Sequence, residues 1–254
     1  MPSSSHRPRK RFGQHFLHER GVLEKIVAAL APSTDDFIVE IGPGEGALTA
    51  PLVEKAESVE AIELDRDLAA QLAGRFPALT VHCADALEFD FGRFPPGMRV
   101  VGNLPYNIST PLLFHLARYA DRVRDMHFML QLEVVERMVA NPSTAAYGRL
   151  SVALQTRFNM RKLFHVAKGA FRPPPRVESA VVRLEPRRER PVIDWRCFDD
   201  VLRQAFSARR KTLRNALRLS AQDWAALAID PGLRPEALTP AQYVSITQLL
   251  ERQK

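Results

Sequence analysis

Cysteine is nearly absent from this chain. Its 254 residues hold two, Cys83 and Cys197, too few and too far apart for a disulfide framework or for the paired spacing of a zinc site. A reducing, cytoplasmic setting is expected. None of the seven histidines stands four residues from another, so no metal site is expected. No apolar run approaches the roughly eighteen residues that would suggest a membrane span, and no membrane association is expected. The stretch from Met1 to Lys10 has no apolar h-region, which argues against a secretory leader. It carries Ser and Arg without acids, a faint likeness to a transit peptide, but residues that read as part of the fold begin at Phe12. Internal repeats and long low-complexity segments are missing. So is any Ser/His or His/Asp constellation of the kind that activates a nucleophile.

Acid is locally missing too. Residues 1–11 carry Arg7, Arg9, Lys10 and Arg11 with no Asp or Glu, and residues 203–218 carry six Arg and Lys, again with none. The net charge is +7, so these two segments hold more than all of the excess and leave the remainder at −3. Clustering of this kind suits a polyanion, nucleic acid above all, although basic runs also serve as solvated surface. Arg209, Arg210, Lys211 and Arg214 are the candidate RNA contacts.

The hydrophobic fraction, 46%, is that of an ordinary globular protein. The first half alternates short β-rich runs with helical patterns. Strands are expected over 37–41, 59–63, 79–82, 98–101 and 126–130, and helices over 47–55, 66–76, 111–119 and 133–139, with Asp65 as an N-cap. Such alternation implies βαβ units and a largely parallel sheet covered on both faces. Beyond about residue 160 the pattern changes. Residues 163–166 and 180–184 read as an antiparallel pair at a sheet edge, flanking the stiff loop Phe171-Arg172-Pro173-Pro174-Pro175-Arg176. A linker over 186–191 precedes helices at 197–206, 209–219, 223–228 and 241–253, the second started by Ser207 and the last by Thr239. The expected organisation is a basic tail over 1–11, an α/β domain over 12–186 and a small all-α domain over 191–254.

Gly42, Gly44 and Gly46 follow the first strand. A glycine-rich turn between strand and helix lets backbone N–H groups approach a ligand, though alone it is a weak sign and also fits a loose dinucleotide fingerprint. Glu63 ends the second strand, where an acid can accept both hydroxyls of a ribose. Asp85 follows the third, placed to accept from an adenine NH2 while Ala86 and its apolar neighbours pack the ring; by itself it would equally be a helix cap. Glu40, within the first strand, is placed to approach the methionine end of S-adenosylmethionine, which favours that cofactor over NAD. The fourth strand runs into Asn103-Leu104-Pro105-Tyr106. An Asn103 side chain and the Leu104 carbonyl can accept both hydrogens of an exocyclic amine, and the Tyr106 ring can stack on the base that bears it. Phe171, on its proline-stiffened loop, suits a second stacking wall, or else a core position.

With these motifs in place, the chain resembles the ribosomal RNA adenine dimethyltransferases, in the branch that acts on small-subunit RNA. The resemblance runs from about Arg9 to the C-terminus. It rests on Phe12-Gly13-Gln14-His15-Phe16-Leu17, on 40–46, on 103–106, on 171–179 and on Phe206-Ser207-Ala208-Arg209-Arg210-Lys211-Thr212-Leu213-Arg214-Asn215-Ala216-Leu217. It implies a Rossmann-like class I methyltransferase domain with a helical C-terminal domain. It implies that Gln14, His15 and Leu17 border the cofactor, that Gly42 and Glu63 hold it, that Asp85 meets its adenine, and that Asn103 touches both cofactor and target amine. Many members carry Asn where this chain has His15. The resemblance further implies that Tyr106 and Phe171 face the target base from two sides. The implied substrate is a pair of adjacent adenines, each dimethylated at N6, near the 3′ end of 16S RNA in the 30S subunit or its precursor; a monomer is expected. Three other readings are a large-subunit enzyme of the macrolide-resistance type, a non-catalytic RNA-binding relative and an NAD-linked oxidoreductase. The 206–217 segment argues against the first and the intact 103–106 turn against the second. The third has no evident use for that turn.

Overall fold

A computed structural model describes residues 15–207 and 211–253. A two-residue strand β1 (Phe16–Leu17) leads into helix α1 (Arg20–Leu30). Then strands and helices alternate: β2 (Phe37–Ile41), α2 (Thr49–Val53), β3 (Ser58–Glu63), α3 (Arg66–Arg75), β4 (Thr80–Cys83), β5 (Met98–Asn103), α4 (Ser109–Leu116), β6 (Val123–Gln131) and α5 (Leu132–Val139). Next come α6 (Arg149–Gln155), β7 (Phe158–Val166), the two-residue β8 (Phe171–Arg172) and β9 (Ser179–Pro186). The chain ends in helices α7 (Trp195–Ala205), α8 (Leu213–Ala216), α9 (Ala221–Leu227) and α10 (Pro240–Arg252).

Seven strands form one sheet in the order β4-β3-β2-β5-β6-β9-β7. Neighbours from β4 to β6 run parallel. The runs of β2, β5 and β6 are those of strands covered on both faces, and Ile38, Val39, Val100 and Phe128 are buried completely. The strand order reverses between β2 and β5, the position where open α/β sheets bind ligands outside their carboxyl ends. β9 is antiparallel to β6 and lies between it and β7. The expected late strands are thus present, but only β7 is the edge, and it is nine residues long. β1 and β8 form a separate antiparallel pair, Phe16 opposite Arg172 and Leu17 opposite Phe171.

A buried guanidinium anchors the first helix. Arg99 on β5 donates to Asp36 and twice to Asp125, at 2.7–2.8 Å, and also to the carbonyls of Leu30 and Ala31. Those carbonyls are among the orphan acceptors at the end of α1. The carboxyls of Asp36 and Asp125 are held below the ordinary range, because the arginine charge and hydrogen bonds outweigh burial.

The chain divides into two compact units, residues 1–135 with 160–186, and residues 136–159 with 187–254. The second unit is helical apart from the first residues of β7. Phe198, Leu202, Tyr243 and Ile246 fill its core, and Arg157 stacks 4.0 Å above the Trp195 ring. Its helices start at side-chain caps that can be read from sequence: Asp194, Ser220 and Thr239 each accept from a first-turn amide. Ser207 does not start a helix; its hydroxyl donates to the Gln204 carbonyl at the end of α7. The helix expected over 209–219 is present as the four residues of α8. Its first amides are satisfied from a distant loop, Leu213 N by Leu233 O and Arg214 N by Pro231 O. Among the described residues no helix is long and apolar enough to cross a membrane.

Candidate active site

The carboxyl ends of β2, β3, β4 and β5 surround a cavity of about 240 Å³. The turn after β2 can pass close to its neighbours only as glycine. Gly44 has φ +58°, and a Cβ there would lie 3.0 Å from the Phe16 ring. Gly102, on β5, is tighter: a Cβ would lie 2.5 Å from the carbonyl oxygen of Ile41 on β2.

Acceptors line the β2–β4 side. Glu63 is buried, and its two oxygens take backbone N–H groups from Gly44 at 3.2 Å and Asp65 at 2.9 Å. A carboxylate has about four acceptor sites, so capacity remains for a ligand. Burial pushes its pKa up despite those bonds. Glu40 is 2% exposed and accepts from Thr49 Oγ1 at 2.6 Å. Burial, with the Glu63 charge nearby, raises its pKa to about 7 against the opposing pull of that hydrogen bond. Asp85 uses one oxygen to accept from Leu87 N at 2.9 Å. Glu40, Glu45, Glu63 and Asp85 all face the cavity, and among the described residues no Lys or Arg lines it. A pyrophosphate has no counter-charge in such a wall. A cationic ligand rich in N–H and O–H donors does.

The opposite side is built by the turn after β5. Asn103 Nδ2 donates to the His15 carbonyl at 2.9 Å. One of the two Nδ2 hydrogens is thereby committed, which orients the amide and leaves its oxygen to accept. Leu104 is buried, its amide donating to Met129 O at 3.2 Å, which fixes the peptide that carries its carbonyl. Tyr106 shares a 2.6 Å hydrogen bond with Ser179 Oγ, and burial raises its pKa. The His15 ring stacks on Tyr106 with centroids 5.6 Å apart, and its Nδ1 donates to the Pro173 carbonyl at 2.7 Å. His15 therefore meets Asn103 through its backbone and Tyr106 through its ring.

Of the residues singled out in the sequence, His15, Leu17, Glu40, Gly42, Gly44, Glu63, Asp85, Ala86, Asn103, Leu104 and Tyr106 border this one cavity. Phe171 does not. Its ring is 1% exposed and packs in the core with Leu17, Leu30 and Val166, because the pairing of β8 with β1 carries it inward. Of the two positions the sequence left open for Phe171, stacking wall or core, the ring occupies the core. Gln14, Arg209 and Arg210 fall outside the described residues; Lys211 and Arg214 are exposed.

The cavity residues that sequence reasoning did not single out include Phe16, Leu64, Ile108 and His127. Leu64 carried a readable sign. It is an apolar residue between two acids at a strand end, and it stays 47% exposed on the cavity wall, as a surface for a flat ring would. His127 gave no sign, since it sits inside the buried run of β6; burial lowers its pKa to about 4, so it is neutral.

Known proteins resemble this chain over nearly its whole length. The profile of the ribosomal RNA adenine dimethylase family matches residues 5–252. A ribosomal RNA small subunit methyltransferase A from Thiobacillus denitrificans is 57% identical over 251 residues, 96% of this chain and 98% of that protein. One from Bordetella pertussis is 54% identical over 258 residues, covering 97% and 96%. Among solved structures, a dimethyladenosine transferase from Plasmodium falciparum superposes with a TM-score of 0.80 at 26% identity, covering 94% of this chain and 98% of that one. A 23S rRNA methyltransferase, ErmE, shares the fold with a TM-score of 0.69 at 24% identity, covering 93% and 99%.

Proposed function

The chain belongs to the ribosomal RNA adenine dimethylase family, and from that premise we propose that it methylates N6 of adenines in the RNA of the small ribosomal subunit. It is an rRNA adenine dimethyltransferase with a class I methyltransferase domain and a helical C-terminal part. The relatives above half identity carry the small-subunit name, which favours that branch over the large-subunit type. The finer reading is that two adjacent adenines near the 3′ end of 16S RNA each receive two methyls, within the 30S subunit or its precursor.

The observation that carries the cofactor reading is the acidic wall. S-adenosylmethionine fits it, and NAD does not. When bound, that cofactor supplies a methyl group activated on a sulfonium. Glu63 would hold its ribose, Asp85 its adenine NH2, Leu64 and Ala86 the ring faces, and Glu40 the cationic end. His15, Leu17, Gly42 and Gly44 would shape the cradle.

Adenine N6 is a poor nucleophile because its lone pair is delocalised into the ring. Asn103 Oδ1 and the Leu104 carbonyl would accept its two hydrogens and favour a pyramidal nitrogen with its lone pair free to attack. Both acceptors are held in advance, Asn103 by His15 and Leu104 by Met129, so the contribution is positioning and preorganised polarity. The amide also places no fixed negative charge beside the nucleophile. Tyr106, pinned by Ser179 and backed by His15, would stack on a base that has left its helix. Lys211 and Arg214, with Arg209 and Arg210, would hold RNA backbone.

Incubation with methyl-labelled cofactor and separated immature small and large subunits tests the reading. Label should map to N6 of small-subunit adenines. Label on large-subunit RNA, or protection from unfolding by NAD rather than by S-adenosylmethionine, would overturn it.

A further inference from the structure

Residues 157–177 hold six Arg and Lys and no Asp or Glu. Arg157 is buried beside Asp199. The other five, Arg161, Lys162, Lys168, Arg172 and Arg176, are exposed. None of the five has an ion-pair partner among the described residues. Their one side-chain hydrogen bond runs from Lys168 Nζ to the Arg176 carbonyl, at 3.4 Å. Some exposed cations elsewhere in this unit do find carboxylates, Arg20 with Glu24 and Arg124 with Asp36, and others, such as Lys25 and Lys55, stand alone among the described residues as these five do.

These five lead to the mouth of the cavity. Arg161 and Lys162 lie on β7, the last strand of the sheet, which covers about 17 Å from Arg161 to Val166. At its far end the His165 Nε2 lies 3.2 Å from Glu178, the neighbour of the Ser179 that bonds Tyr106. Arg172 pairs with Phe16, a cavity residue. The next residue, Pro173, accepts from the His15 ring that stacks on Tyr106. Cations without ion-pair partners thus lie on β7 and in the segments whose neighbouring residues contact His15 and Tyr106.

We propose that this basic edge is a second RNA-backbone site, distinct from the C-terminal basic segment, which takes the phosphates of the single-stranded RNA flanking the target adenine. The inference rests on the RNA substrate proposed above. A base drawn from its stack leaves its neighbours' phosphates near the mouth, and cations fixed there would hold register without reading sequence. The competing explanation is that the charges only guard a free sheet edge against pairing with another chain. That accounts for Arg161 and Lys162. It does not account for Lys168 and Arg176, which lie outside the strands.

The test replaces Arg161, Lys162, Lys168, Arg172 and Arg176 by Gln, together and as the pair Lys168→Gln/Arg176→Gln. Binding to immature small subunits and to a short unstructured RNA is measured at several salt concentrations, with cofactor titration and melting curves alongside. Cofactor affinity should hold in both variants. KM for RNA should rise while kcat at saturating RNA stays. Each lost phosphate contact should flatten log K against log salt by about 0.7 for single-stranded RNA, so the full variant should lose a slope of about two or more and the pair about one. If the full variant melts early, the pair is read alone. An unchanged slope and KM overturn the inference, and an unchanged slope with new aggregation assigns the charges to edge protection. Should the wild type leave small-subunit adenines unmethylated, the substrate reading falls, and the slope on the short RNA still decides the basic edge.

Discussion

Glu40 gives the acidic wall its sharpest test. The carboxyl is 2% exposed and titrates at about 7, where its ordinary value is 4.5. Between pH 4.5 and 7 the folded protein keeps a proton that the unfolded chain has released. Folding stability of the ligand-free protein therefore falls as pH rises through that window. The gap between the two values corresponds to roughly 3 kcal/mol. Glu63, also raised by burial, acts in the same sense. Cofactor binding should run the other way, because a sulfonium and an ammonium against one carboxylate make the cofactor a net cation that prefers ionised Glu40. From pH 5.5 to 7 the ionised fraction rises from about 3% to about half, so affinity should rise roughly fifteenfold if only that form binds. Melting curves of wild type and Glu40→Gln across pH 5–8, with calorimetric titration of S-adenosylmethionine in the same buffers, read both trends. The variant should melt higher near pH 7 and lose most of the pH dependence of binding. Superimposable melting profiles, or wild-type affinity flat across the window, would refute the reasoning.

Asn103→Ala should lower kcat by about 3–4 kcal/mol of barrier, as loss of one preorganised polar contact does, with cofactor binding retained; near-normal turnover removes Asn103 from the chemistry. Glu63→Ala should weaken S-adenosylmethionine by about 1.5–3 kcal/mol and leave RNA affinity alone, which calorimetry and filter binding check separately. Arg99→Ala should destabilise the protein by about 3–5 kcal/mol, since two carboxylates lose their buried partner. Below the ordinary carboxylate range that cost should shrink, because Asp36 and Asp125 then take up protons; denaturant melts at pH 7 and pH 3 compare the two. Phe171→Ala should cost about 3–5 kcal/mol of stability, and a variant with full stability but no base stacking would restore Phe171 to the site.

Much of the fold was legible because its signals are local. The alternation of strands and helices, the caps at Asp65 and Thr239 and the glycine turn each depend on residues close in sequence. The site was legible where one strand end carries the whole signal, as at Glu63, Asp85 and Asn103. Long-range pairing hid the rest. Nothing near Phe171 announces that β8 pairs with β1 and turns the ring into the core. Nothing near His15 announces that its backbone would orient Asn103, eighty-eight residues on. The basic edge escaped notice because its cations are spread over a strand and a loop, with no dense cluster to mark them.

Gly102 leaves the active site little freedom to drift. Any side chain there would press on the Ile41 carbonyl and part β2 from β5. One of those strands delivers the glycine turn, the other Asn103, so the cofactor half and the base half of the site would separate together. Variation among descendants of this sequence is then channelled to the rim. Exposed positions such as Leu64 can change grip or preference one residue at a time, while the spacing between donor and acceptor is inherited as a single, indivisible trait.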